Sequence, residues 1–213
     1  RGLGDVYKRQ VLDLYNEKRQ DLKLADMVQI GYGGVVCVEA GGPTPGLGCA
    51  GRGIITALEK LKETGAYETY KPDIVLYDVL GDVVCGGFSM PMRKGYADKV
   101  FIITSGENMA IHAGANIAMA VENFRSRGYA SLGGLILNRR NVPREEEKVR
   151  ELAEDFHTQV VGTLSRSDLV LAAEEQGKTL LEAYPESEMA GEYRTLAEHL
   201  SLIHISEPTR LRC

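Results

Sequence analysis

The sequence predicts a doubly wound α/β domain built on a mostly parallel sheet. Two observations carry that prediction: short β-branched runs alternate with stretches of helical periodicity, and the runs are apolar throughout rather than at every second residue. Continuous apolar strands suit a sheet covered on both faces, and the alternation suits strand–helix–strand crossovers. The 213 residues, 44% hydrophobic and 26% charged with a formal net charge of -5, supply enough apolar material for one such domain. The mildly acidic balance argues against a nucleic-acid-coating role, and no apolar run approaches the ~18 residues of a membrane span. Protein and small-molecule partners are expected instead.

In chain order the predicted strands are VVCVE (Val35 to Glu39), DIVLYD (Asp73 to Asp78), VFIITS (Val100 to Ser105), LGGLILN (Leu132 to Asn138) and QVVGTL (Gln159 to Leu164). Apolar residues at roughly 3.6-residue spacing predict helices over Ile54 to Glu63, Met109 to Arg125, Arg144 to Phe156 and Asp168 to Gln176. No internal repeat, linker or second domain is visible. In open parallel sheets ligands bind beyond the carboxyl ends of the strands, so the residues after each run are the first candidates for function.

The two ends differ from the rest. With one choice of codons, the first ten residues, RGLGDVYKRQ, are encoded by the reverse complement of a string that encodes LSLIHISEPT, Leu200 to Thr209. One oligonucleotide read on opposite strands, resembling a transposase-type sequencing adapter, accounts for both. Residues 1–10 and 200–213 are therefore expected to be non-native, with Leu200 undecided, and 11–199 to be one domain of a gene cut at both ends. Without Cys213 the cysteines are Cys37, Cys49 and Cys85. Three do not make a disulfide framework, and a reducing cytoplasm is the expected compartment.

The chemistry gathers after the first two runs. VVCVEA leads into GGPTPGLGCAGRG, which places Cys49 near the start of a helix, where free N–H groups favour an anion. DVLGDVVCGGF places Cys85 before Gly86 and Gly87. Three readings of the pair compete. Two buried cysteines are possible in principle, but glycine loops at a sheet edge make poor core. A zinc site lacks a C-x-x-C neighbour or nearby histidine. An iron–sulfur cluster needs four thiolates, which a twofold homodimer contributing Cys49 and Cys85 twice supplies. Asp78 closes an apolar run, where nucleotide-hydrolysing α/β proteins place a magnesium-holding carboxylate, and Asp82 is positioned to orient or deprotonate the attacking water; both also suit simple turn capping. Gly81, Gly86 and Gly87 leave the segment between carboxylate and thiol free to change conformation. No G-x-x-x-x-G-K-[ST] loop is present: Gly177 to Thr179 reads GKT, but Ala172 stands at the earlier glycine position. Such a loop is expected on a first strand lost before Val11.

At these residues the sequence resembles the nitrogenase iron protein family. GYGGVVCVEAGGPTPGLGCAGRG and YDVLGDVVCGGFSMP are similar to that family's two cluster-ligand segments, and GAYE, SGENMA, LGGLILNRRN and EYRTLA follow in its order across Val11 to His199. The resemblance implies a P-loop NTPase-like fold and a homodimer that binds MgATP and one [4Fe-4S] cluster. Cys49 and Cys85 become the cluster ligands and Asp78 and Asp82 the switch carboxylates. Arg52 matches the docking-face arginine that is ADP-ribosylated in some members. Asn138 matches an adenine contact; Arg166, in SRSD, is a fair carry-over on the same side, and Asp168 only a loose one. The implied activity is ATP-dependent electron transfer from ferredoxin or flavodoxin to a nitrogenase-type metalloprotein. SGENMA leans toward the nitrogenase branch, while MRKGYADKV keeps the tetrapyrrole-reducing branches open. A partition-type ATPase of similar fold is the rival from another class, and it has no use for the paired cysteines.

The remaining residues have plain readings. Cys37 is expected in the core, His112 and His157 as surface or core partners, and Met109 and Met119 in a packing stripe. Glu145, Glu146 and Glu147 are expected on a solvated helix face with Lys148 and Arg150.

Overall fold

The computed structural model describes residues 10–18, 22–41, 51–79, 81 and 89–206. They fall into two compact units, residues 1–79 with 84–90 and residues 80–83 with 91–213.

The described part of the first unit is mainly helical. Helix α1 (Val11–Lys18) and the single turn α2 (Leu24–Met27) precede a hairpin of β1 (Val28–Ile30) and β2 (Val36–Val38), and α3 (Gly51–Glu63) and α4 (Ala66–Tyr70) follow. Val11, Met27, Ala57, Leu61 and Ala66 form its core. Ala57, Leu58 and Leu61 share the buried side of α3, whereas Glu59, Lys62 and Glu63 are exposed. Thr64 Oγ1 donates to the Lys60 carbonyl at 2.7 Å and Gly65 turns left-handed at φ 69, which stops α3.

Two strand predictions need correction here. The VVCVE run forms a strand only over Val36–Val38, and that strand pairs antiparallel with β1, with Val28 opposite Val38 and Ile30 opposite Val36. The cause is the preceding Tyr32–Gly34 turn. Gly33 (φ 65) and Gly34 (φ 82) take left-handed conformations that reverse the chain onto β1. Cys37, expected in the core, is exposed, as is the whole of β2. DIVLYD is described without a ladder partner, and Ile74, Val75 and Leu76 are exposed. β-branched residues favour extended backbone, but a strand needs a neighbouring edge to pair with.

The second unit matches the α/β prediction. Strands β3 (Lys99–Thr104), β4 (Ser131–Asn138) and β5 (Val160–Leu164) form a parallel sheet in the order β3-β4-β5. Helix α5 (Asn108–Arg125) connects the first pair and α6 (Glu145–Asp155) the second; α7 (Asp168–Glu175), α8 (Leu180–Ala183) and α9 (Glu188–Ser206) follow. Ile102, Leu135 and Leu137 on one sheet face pack with Ala118 of α5 and with Val149, Leu152 and Ala153 of α6. On the other face Leu164 joins Leu180, Met189 and Leu196. A Cβ at Gly162 would lie 2.3 Å from Leu196 Cδ1, so this glycine sets how closely α9 approaches β5.

Small residues dock α5: Gly114, Ala118 and Val121 are buried, at helical spacing. The expected methionine stripe is absent. Met109 and Met119 lie 79% and 51% exposed, off the face defined by those three residues. The GKT stretch is a helix junction, with Gly177 left-handed after α7 and Thr179 capping α8 by accepting from the Glu182 N–H. Among the described residues no helix is long and apolar enough to cross a membrane.

Candidate functional site

The parallel register brings the ends of β4 and β5 together at the carboxyl edge. Asn138, last residue of β4, stands opposite Leu164, last residue of β5. Its side chain is half-buried and makes no hydrogen bond with the described residues, which leaves both ends of the amide available. Arg166 lies two residues beyond β5, exposed and without an ion-pair partner among the described residues. The turn that carries it is fixed on both sides. Glu192 Oε2 accepts from the Ser165 N–H at 2.6 Å, and Ser167 Oγ accepts from the Leu169 N–H at 3.3 Å, capping α7 ahead of Asp168.

The loop after Asn138 is organised by a group that the sequence reading assigns to solvent. Glu145 is 5% exposed, the one buried charged residue among those described. Its Oε2 accepts from the backbone N–H of Arg140 at 3.0 Å and of Val142 at 3.4 Å, and its Oε1 faces the Arg139 guanidinium at 3.4 Å. Arg139 also pairs with Glu146, and its backbone N–H donates to the Leu164 carbonyl at 2.9 Å. The signal was present in the pattern, since Glu145 heads the buried stripe Val149, Leu152, Ala153 at offsets of four, seven and eight residues. Glu146 and Glu147 are exposed as expected. The Glu147 carboxyl is held below its ordinary range by the hydrogen bond from Arg144, reinforced by its charge, and the Arg144 guanidinium is raised by the same contact.

Two further contacts tie the start of α6 to the loop after β3. Lys148 Nζ donates to the Gly106 carbonyl and to Asn108 Oδ1, each at 3.1 Å. A Cβ at Gly106 would fall 2.2 Å from Glu145 Cβ and 2.5 Å from its Cα, so only glycine permits this approach. One helical turn therefore fastens two of the three strand-end loops. A cleft of about 330 Å³ lined by Lys99, Arg125, Ser131, Asp155 and His157 lies at the amino ends of the same strands, away from this edge.

The other predicted site residues are placed as follows. Asp78 closes the 73–78 run of the first unit, which has no ladder partner among the described residues, and is exposed. Arg52 is the second residue of α3, because that helix starts at Gly51 rather than near Ile54. Cys49, Cys85 and Asp82 lie outside the described residues. Among those described, no group of three or more His, Cys, Asp or Glu side chains is arranged to hold a metal.

Comparison with known proteins adds what this geometry lacks. The model of a family described as 4Fe-4S iron sulfur cluster binding proteins, NifH/frxC family, matches residues 3–211. The chain belongs to that family. A relative in it, the nitrogenase iron protein of Methanococcus voltae, is 44% identical over 191 residues, which cover 89% of this chain and 69% of the relative. Solved structures give the fold. The cell division ATPase MinD of Pyrococcus furiosus aligns at TM-score 0.63 and 14% identity, covering 92% of this chain and 77% of its own. A ParA family ATPase from Chlorobium tepidum aligns at TM-score 0.58 and 16% identity, covering 92% and 76%. The NifH/frxC chain thus has the P-loop NTPase-like α/β fold predicted for it, with helices on both faces of a parallel sheet.

Proposed function

We propose that this chain is most of an ATP-dependent electron-transfer reductase of the nitrogenase iron protein type. The observation that carries the reading is the family match together with 44% identity to a nitrogenase iron protein. The protein works as a homodimer with one [4Fe-4S] cluster between the subunits and MgATP bound at each. Two thiolates per chain, Cys49 and Cys85, fit half of a cluster's ligand set, and the twofold axis completes it. When bound, the cluster supplies a one-electron carrier.

The chain's own residues set the conditions for that transfer. Asp78 is exposed and carries hard oxygen ligands suited to magnesium or its water shell, and Asp82 orients the attacking water. Asn138 and Arg166 present an amide and a cation from neighbouring strand ends, on the base side of the nucleotide. Cys85 follows Asp78 by seven positions, a short link from nucleotide site to thiolate, so a change at the carboxylate is transmitted to the ligand loop. Arg52 belongs to the face that docks the acceptor and is the position open to ADP-ribosylation. The donor is ferredoxin or flavodoxin, the acceptor is a nitrogenase-type metalloprotein, and the compartment is the cytoplasm. A tetrapyrrole-reducing acceptor is the second reading, favoured by MRKGYADKV at Met92 to Val100.

Residues 11–199 form the native domain in this reading, the phosphate loop lies upstream of them, and residues 1–10 and 200–213 derive from an adapter. The 213-residue chain is then expected to show negligible ATPase activity. Magnesium-dependent turnover by it would contradict the assignment of the missing loop. The reductase reading is tested by anaerobic iron and acid-labile sulfide analysis of protein from the intact gene. About four irons per two chains is the expected result. An iron-free, colourless dimer that hydrolyses ATP would replace the reading with a partition-type ATPase.

A further inference from the structure

We propose that Glu145 is a positioning residue for nucleotide-base recognition, acting by fixing the loop that begins at Asn138. The inference rests on the nucleotide reading above and extends it to a residue outside the candidate contacts.

A buried carboxylate costs free energy unless its oxygens are satisfied, and Glu145 satisfies its own with the loop itself. Both N–H groups that it holds, Arg140 and Val142, lie within four residues of Asn138, and the guanidinium that it faces belongs to Arg139. That loop includes two non-glycine residues in left-handed conformations, Asn141 at φ 60 and Arg144 at φ 58. Such backbone persists where surrounding contacts over-determine it, and the carboxylate inside the loop provides them. From outside, Gly106 packs against the Cα and Cβ of Glu145 so closely that no side chain fits at position 106, which holds the start of α6 against the loop after β3. The Asn138 amide, by contrast, has no partner among the described residues. A rigid loop carrying an uncommitted amide is the arrangement that a hydrogen-bonding site for a planar base requires. A purine offers both a ring-nitrogen acceptor and an amino donor to such an amide.

A role confined to stability affects every ligand alike, whereas positioning through Asn138 affects only ligands with a base. The test compares MgATP with inorganic tripolyphosphate, by calorimetric titration of the full-length reductase from the intact gene. Glu145→Ala is expected to weaken MgATP binding by up to about tenfold, the upper end of what one neutral hydrogen bond between the Asn138 amide and the base contributes. Tripolyphosphate affinity is expected to stay unchanged. In an Asn138→Ala background the same substitution should cost no further MgATP affinity, because the two residues act in series. Should the alanine variant fail to fold, Glu145→Asp, which keeps the charge and withdraws it by one methylene, carries the same comparison. Equal weakening of both ligands, unchanged MgATP binding, or additive losses with Asn138→Ala overturns the proposal. If the unsubstituted protein prefers MgATP no more than tripolyphosphate, the base-side reading of Asn138 fails first, before any variant of Glu145 is made, and the positioning role falls with it.

Discussion

Leu135 and Leu76 are both leucines in β-branched apolar runs, one in each unit, and they have opposite fates. Leu135 lies in the middle of β4, paired on both sides by β3 and β5, and is 1% exposed. Leu76 lies in the Asp73–Asp78 run, which has no ladder among the described residues, and is 87% exposed. Hydrophobicity and β-propensity do not separate the two; the availability of neighbouring strands does. The candidate residues divide in the same way. Asn138 and Arg166 are fixed by strand register and caps, whereas the cysteines and carboxylates that carry the redox reading cluster in glycine-rich chain around the runs that lack such pairing.

The contrast predicts a large difference in cost. Leu135→Ala is expected to destabilise its unit by about 2–5 kcal/mol, and Leu76→Ala to change stability by less than about 0.5 kcal/mol. Chemical denaturation followed by circular dichroism measures both, and a comparable loss at Leu76 would mean that the Asp73–Asp78 run is packed in solution.

A second pair sharpens the comparison at glycines. An alanine at Gly106 meets Glu145 backbone and side chain, for an expected cost of about 1–3 kcal/mol. Gly33 has open space around it, so an alanine there incurs only the left-handed backbone penalty, about 1 kcal/mol. The same denaturation series orders the two, and the reverse order would contradict the tight packing of the Gly106 loop on α6.

The smallest expected effect is electrostatic. A carboxyl depressed in the folded state, as Glu147 is by Arg144, stabilises at pH above its unfolded value, and the contribution fades as pH falls through the lower folded value. Arg144→Ala should raise the Glu147 pKa toward its ordinary value, with Arg150 still lowering it, as read by NMR, and remove Arg144's share of the acid-range dependence. The stability lost lies at neutral pH and vanishes in acid, and because both side chains are exposed it is expected to be small.

How much of this was legible in the sequence depended on whether the determining contact was local. The helices that become α5, α6 and α7 follow from periodicity, and their observed ends fall within one residue of the predicted ones. The antiparallel hairpin was missed because the weight of VVCVE hid GYGG, whose two left-handed glycines decide the direction of the chain. Glu145 was missed because three consecutive glutamates look like one solvated face, although only the first continues the buried stripe. Cys49 and Cys85 stand out through the glycine-rich motifs around them, which is information about chemistry rather than packing.

The most direct test of the central claim is low-temperature EPR of the dithionite-reduced homodimer, purified anaerobically from the intact gene, beside its Cys85→Ala variant. A reduced [4Fe-4S] signal in the parent and none in the variant is the predicted result. No signal in the parent, or one that survives the loss of Cys85, would contradict a cluster shared between two chains through Cys49 and Cys85.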